Sequence, residues 1–77
     1  MNGAVVVPIR DASIRLGQLL KLAGLADDGA VAKAMLEDGL VMVDGEPEGR
    51  RGRQVRPGDV VTVTVDGEVT TLVVQPR

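Results

Sequence analysis

Leu16, Leu19, Leu20 and Ala23 recur at i, i+3, i+4 and i+7, the spacing that lines one side of an α-helix. The pattern predicts a helix from about Ile14 to Ala23. Asp11 or Ser13 offers its N-cap, and Gly24 ends it as a C′ glycine does. Gln18 and Lys21 fall opposite the apolar stripe. A second helix is predicted from about Asp28 to Asp38. Its core face is Ala32, Met35 and Leu36, with Val31 as a further candidate. Asp27 or Asp28 is its cap, and Gly39 its stop. Upstream, Ala4 to Ile9 reads as a short strand that Pro8 places at a sheet edge.

After Gly39 the period changes from helical to two. Leu40 to Val43 reads as a strand, and Asp44-Gly45 is a strong signal for a two-residue type I′ hairpin. Pro47 keeps the return arm short. Arg56-Pro57-Gly58-Asp59 has Pro and Gly where a type II turn needs them. Val60 to Val65 alternates, Asp66-Gly67 turns the chain, and Val69 to Val74 returns. A two-residue loop there sets Val63 opposite Thr70 and Val61 opposite Leu72. Val61, Val63 and Leu72 then share the core face. Val55 is expected to tuck into the core, and Gln75-Pro76-Arg77 to fray. The fold class is α+β: two helices packed on a small, mostly antiparallel sheet. The whole chain, 1–77, is expected to form one domain.

Composition narrows the chemistry. The chain has no Phe, Tyr, Trp, Cys or His. Aromatic base stacking is therefore closed to it, as are disulfides and thiolate metal sites. The commonest general base is missing too. The carboxylates show no calcium-loop spacing. No nucleophile–base pair or phosphate loop is present, and Ser13 is the only serine. An enzyme is not expected, and no cofactor is. No apolar run approaches membrane-spanning length. Met1 to Pro8 lacks the form of a signal peptide. A cytoplasmic, monomeric protein is expected.

Charge changes the picture most. Nine basic residues face eleven acidic ones. Yet Arg50, Arg51, Arg53 and Arg56 fall within seven positions that hold no acid. A basic spot on an acidic body points to a local meeting with phosphate.

Five segments together carry a family resemblance. They are Leu16 to Gly24; Gly29 with Ala32-Lys33; Glu37 to Gly45 with Gly39, Val41 and Val43-Asp44-Gly45; Glu48 with Arg50-Arg51; and Val55 with Gly58-Asp59 and Val61. In this order and spacing, the stretch from about residue 13 to 64 resembles the RNA-binding domain named after ribosomal small-subunit protein four, the αL motif. The resemblance is to its small stand-alone bacterial members. It implies a helix pair and adjacent loop that form one RNA-facing surface. It also implies RNA-binding positions at Arg15, Lys33, Arg50 and Arg51, which Arg53 and Arg56 extend. The chain departs from larger members at the start of the second helix, where Asp28-Gly29 replaces their Ser-Arg. That removes one phosphate contact and adds a repulsive carboxylate.

The expected partner is structured RNA, ribosomal or transfer, selected by shape. Phosphates would be captured by Arg50, Arg51, Arg53 and Lys33, with backbone donors from the second helix's N-terminus. Plainer roles stand beside these. Lys33 has Glu37 one turn on as an ion-pair partner. Arg15 is poorly placed against the first helix dipole. Lys21 reads as a solubilising residue, and the Arg run as a solvated loop. The alternative function is a protein-interaction module, with Val69 to Val74 as an exposed sheet edge that accepts a partner strand.

Overall fold

The Val60–Val65 and Glu68–Pro76 strands form the centre of the molecule in a computed structural model that describes residues 3–77. Asp66 and Gly67 both take positive φ, 50° and 80°, as a type I′ turn requires. The register follows: Val63 pairs with Thr70 and Val61 with Leu72. The Asp44-Gly45 turn behaves alike, at φ 50° and 83°. The Asp44 carboxylate also accepts the Val60 amide at 2.9 Å, which locks this turn to the next strand.

In chain order the elements are β1 (Gly3–Ile9), β2 (Ile14–Arg15), α1 (Leu16–Leu22), α2 (Gly29–Glu37), β3 (Val41–Val43), β4 (Glu46–Pro47), β5 (Gln54–Val55), β6 (Val60–Val65) and β7 (Glu68–Pro76). The main sheet runs β1-β7-β6-β3-β4, and β2 pairs with β5 in a separate two-stranded ribbon. Every pairing is antiparallel except β1 with β7, which is parallel. The sheet is therefore mixed.

Period-two alternation sends Val41, Val43, Val61, Val63, Leu72 and Val74 to one face. Leu16, Leu19 and Leu20 of α1 and Ala32 and Leu36 of α2 join them in one buried cluster. With no aromatic side chain present, close packing of aliphatics supplies the stabilising burial. Ala23 is only partly buried at the edge of the cluster. Val31 is exposed and takes no part in the core.

Three expectations need correction. The strand Val69 to Val74 is not an edge: β7 lies between β1 and β6, so both its backbone sides are paired. The edges belong to β1 and β4. The C-terminal tail does not fray, since β7 runs to Pro76 and the Arg77 amide donates to the Ile9 carbonyl at 2.9 Å. The first helix begins at Leu16, and neither Asp11 nor Ser13 caps it. Arg15 is the N-cap residue without a side-chain bond, and the Ser13 hydroxyl donates to Gln54 Oε1 instead. No helix among the described residues is long and apolar enough to cross a membrane.

Candidate nucleic-acid interface

The loop between β4 and β5 performs the capping that α1 lacks. The Leu16 amide donates to the Arg53 carbonyl at 2.9 Å and the Gly17 amide to the Arg51 carbonyl at 3.0 Å. The first amides of a helix have no partner within it. Here the basic loop supplies two carbonyls for them, and β2–β5 pairing of Ile14 with Val55 pins the junction. Val55 is fully buried and anchors the end of the loop.

This docking creates a groove of about 450 Å³ between α1, the start of α2 and the loop. Arg15, Lys21 and Arg51 supply three cations to its lining, Gln18 a neutral amide, and Gly17, Gly29 and Gly52 bare backbone. Among the described residues no carboxylate lines it. Sequence reasoning missed Lys21 and Gln18, because a position opposite the core stripe reads as ordinary solvated surface. Their spacing held the signal: Gln18 and Lys21 are three apart and so share one helix face.

Lys33 is exposed and does not line the groove. It lies one turn after Gly29, which does, and helical side chains lean toward the preceding turn. Lys33 thus follows the groove-lining part of α2 by one turn. Among the described residues it forms no ion pair with Glu37. The α2 N-terminus is already capped: Asp28 Oδ1 accepts the Val31 amide at 2.9 Å. The carboxylate expected to repel phosphate is thus fixed beside the groove.

The other arginines are placed differently. Glu48 lies before them, its side chain only 8% exposed against 77% for Arg50 and 35% for Arg53. Its Oε2 accepts the Arg50 amide and Nε at 3.1 Å each. Its Oε1 accepts Arg50 Nη2 at 3.1 Å and Arg53 Nη1 at 3.0 Å. The side-chain bonds from Arg50, then those from Arg53, hold the Glu48 carboxyl down at about 2 against an ordinary 4.5. Arg50 is raised in turn by its bonds to Glu48. Arg56 is exposed beyond buried Val55, on the β5–β6 turn. There its amide donates to Asp59 Oδ2 at 2.9 Å. Gly58 takes φ 96°, and the Asp59 amide donates to the Arg56 carbonyl at 2.9 Å, as a type II turn requires.

Of the six basic positions singled out in the sequence, then, Arg15 and Arg51 border one groove. Lys33 lies one turn along α2 from groove-lining Gly29, Arg50 and Arg53 share a buried counter-ion, and Arg56 stands apart. Among the described residues no group of three or more His, Cys, Asp or Glu is placed to hold a metal ion.

Comparison with known proteins agrees with this architecture. The family described as "S4 domain" matches residues 7–73. A Bacillus subtilis (strain 168) protein named "Probable ribosome maturation protein RlbA" is 48% identical over 50 residues. The match covers 65% of this chain and 70% of that protein.

Proposed function

This chain belongs to the S4 domain family of RNA-binding domains, and from that premise we propose that it is a non-catalytic binder of structured RNA. Ribosomal RNA is the favoured target, with transfer RNA the other candidate. The name of its Bacillus relative places that protein in ribosome maturation. The same setting, in the cytoplasm, is proposed here. The observation that carries the reading is the groove: among the described residues three cations and no acid line it, bordered by both helices and the basic loop.

The mechanism is phosphate capture. Arg15, Lys21 and Arg51 meet the RNA backbone, and Lys33 continues the track along α2. Arg51 offers the forked donor geometry that suits phosphate. The Arg50–Arg53–Glu48 trio adds one net charge, because one carboxylate offsets one of two guanidiniums. Arg56 contributes at long range only. Glycine backbone at Gly17, Gly29 and Gly52 lets a sugar-phosphate chain approach closely. The chain has no aromatic platform for splayed bases, so the shape of the folded RNA selects the site.

The test is titration against bacterial ribosomal RNA at several salt concentrations. About four neutralised phosphates give a slope of log affinity against log salt of roughly −2.8 to −3.6. Binding without salt dependence, or binding that survives loss of Arg15, Lys21 and Arg51 together, counts against the mechanism. The strand-accepting alternative cannot use Val69 to Val74, which lies inside the sheet, and would have to use the β1 or β4 edge.

A further inference from the structure

We infer that Glu48 is a specificity-determining residue, which withdraws one of the loop's positive charges so that RNA is gripped by the groove and not by the loop at large. The inference rests on the RNA-binding reading for its biological meaning.

An exposed loop with three arginines, Arg50, Arg51 and Arg53, attracts any polyanion, because counterion release is blind to sequence and shape. Such a loop would hold duplex, single strand and folded RNA alike. Glu48 sits just before it and reduces the Arg50–Arg53 pair from two net charges to one.

The arrangement is built, not incidental. An exposed ion pair on long side chains is loose and readily exchanged. Glu48 is instead nearly buried and accepts four hydrogen bonds from two arginines. Its own amide donates to the Val41 carbonyl at 3.0 Å, which ties the residue to β3. The carboxylate therefore cannot swing away when a phosphate arrives. Arg51, between the two held arginines, makes no hydrogen bond or ion pair with Glu48 among the described residues. Its side chain borders the groove, while its carbonyl caps α1. Among the described residues the loop thus has one unpaired cation, Arg51, at the groove and two muted ones beside it.

A purely structural role predicts the opposite effect on binding. If Glu48 only held the loop in place, removing its charge would loosen the loop and weaken every anion contact. If it mutes charge, removal strengthens indiscriminate binding.

The experiment uses the full chain and Glu48→Gln. Three measurements are made: retention on immobilised heparin, and salt-series titrations against a random-sequence RNA duplex and against ribosomal RNA. The folded variant should elute from heparin at higher salt than the wild type. Its slope on the duplex should steepen by about 0.7–0.9, one net charge. Its preference for ribosomal RNA over the duplex should fall. Unchanged or earlier heparin elution by folded Glu48→Gln overturns the inference. A gain on heparin with no ribosomal RNA binding by either protein upholds charge muting and overturns the RNA reading. A second measurement needs no variant. Titrating a heparin hexasaccharide into the wild type should shift the Arg15 and Arg51 Nε–H resonances and leave that of Arg50, which Glu48 holds. An Arg50 shift equal to that of Arg51 overturns the inference.

Discussion

The Gly17 amide donates to the Arg51 carbonyl at 3.0 Å, so the loop that bears the arginines is also the cap of the first helix. Binding surface and helix start cannot move independently. A Cβ built on Gly17 meets Arg51 Cβ at 3.4 Å and its carbonyl oxygen at 3.6 Å. A methyl group therefore fits with ordinary contact, whereas a branched side chain has to displace the loop.

Gly17→Ala should leave the thermal midpoint unchanged or raise it, since Ala is favoured over Gly in a helix by about 1 kcal/mol. Gly17→Val should destabilise by about 1–3 kcal/mol through overpacking. It should also weaken RNA binding by moving Arg51. Thermal denaturation and RNA titration of the two variants check this. Equal behaviour of Ala and Val would show that the loop yields freely.

Asp28 has two opposed roles. Its carboxylate caps α2 through the Val31 amide, and it stands next to groove-lining Gly29. Asp28→Ala should cost about 0.5–2 kcal/mol of stability. Asp28→Asn keeps the cap and removes the repulsion. It should hold the thermal midpoint and tighten RNA binding. Weaker RNA binding by the Asn variant would contradict a phosphate path past the α2 start.

The elements fixed by local chemistry were legible in the chain. Asp66-Gly67 dictated the Val61–Leu72 register, Asp28 the second helix, and Gly24 and Gly39 the helix ends. What was not legible depends on partners far along the chain. The α1 cap comes from carbonyls of Arg51 and Arg53, more than thirty residues on, so Ser13 and Asp11 looked like better candidates than they are. Val69 to Val74 read as an edge because nothing in its sequence announces β1, which pairs with it in parallel from the opposite end of the chain. The candidate site divides in the same way. Arg51 stood out by charge, but Lys21 and Gln18 gained meaning only when the loop docked beside them. Glu48 stood in the sequence only as part of the pattern with Arg50-Arg51; its near-complete burial and its hold on Arg50 and Arg53 were not visible there.

Leu20 is fully buried in a core without aromatics. Leu20→Ala should cost about 2–5 kcal/mol, transfer and cavity together. A domain this size has only a few kcal/mol to lose. Circular dichroism melts should show a large drop in midpoint or no cooperative transition. An unchanged midpoint would contradict the packing described for α1.

Acid should loosen the loop through Glu48. Its carboxyl lies at about 2 in the folded chain against an ordinary 4.5. A lowered folded value means the unfolded chain takes up the proton first. The stabilisation is therefore complete above about 4.5 and is lost as pH falls toward about 2. Other carboxylates titrate in the same range, so the useful quantity is the difference between wild type and Glu48→Gln. The midpoints should differ at neutral pH and converge as pH approaches the lower value. A gap that stays constant from neutral to strongly acidic pH would show that the Arg50 and Arg53 bonds do not stabilise the fold.

Lys33 tests how far the footprint runs beyond the groove. It is exposed, one turn from groove-lining Gly29, and has no ion pair with Glu37 among the described residues. Among the described residues no carboxylate competes with a phosphate for it. Lys33→Ala should leave the thermal midpoint unchanged, because an exposed unpaired charge contributes little to folding. If RNA crosses from the groove onto α2, the variant should bind ribosomal RNA more weakly and flatten the salt slope by about 0.7–0.9. Lys21→Ala, inside the groove, should flatten it by a similar amount, and the double variant by the sum. A full effect at Lys21 with none at Lys33 confines the RNA to the groove and the loop. The reverse result would move the binding surface onto the outer face of α2 and leave the groove without a role.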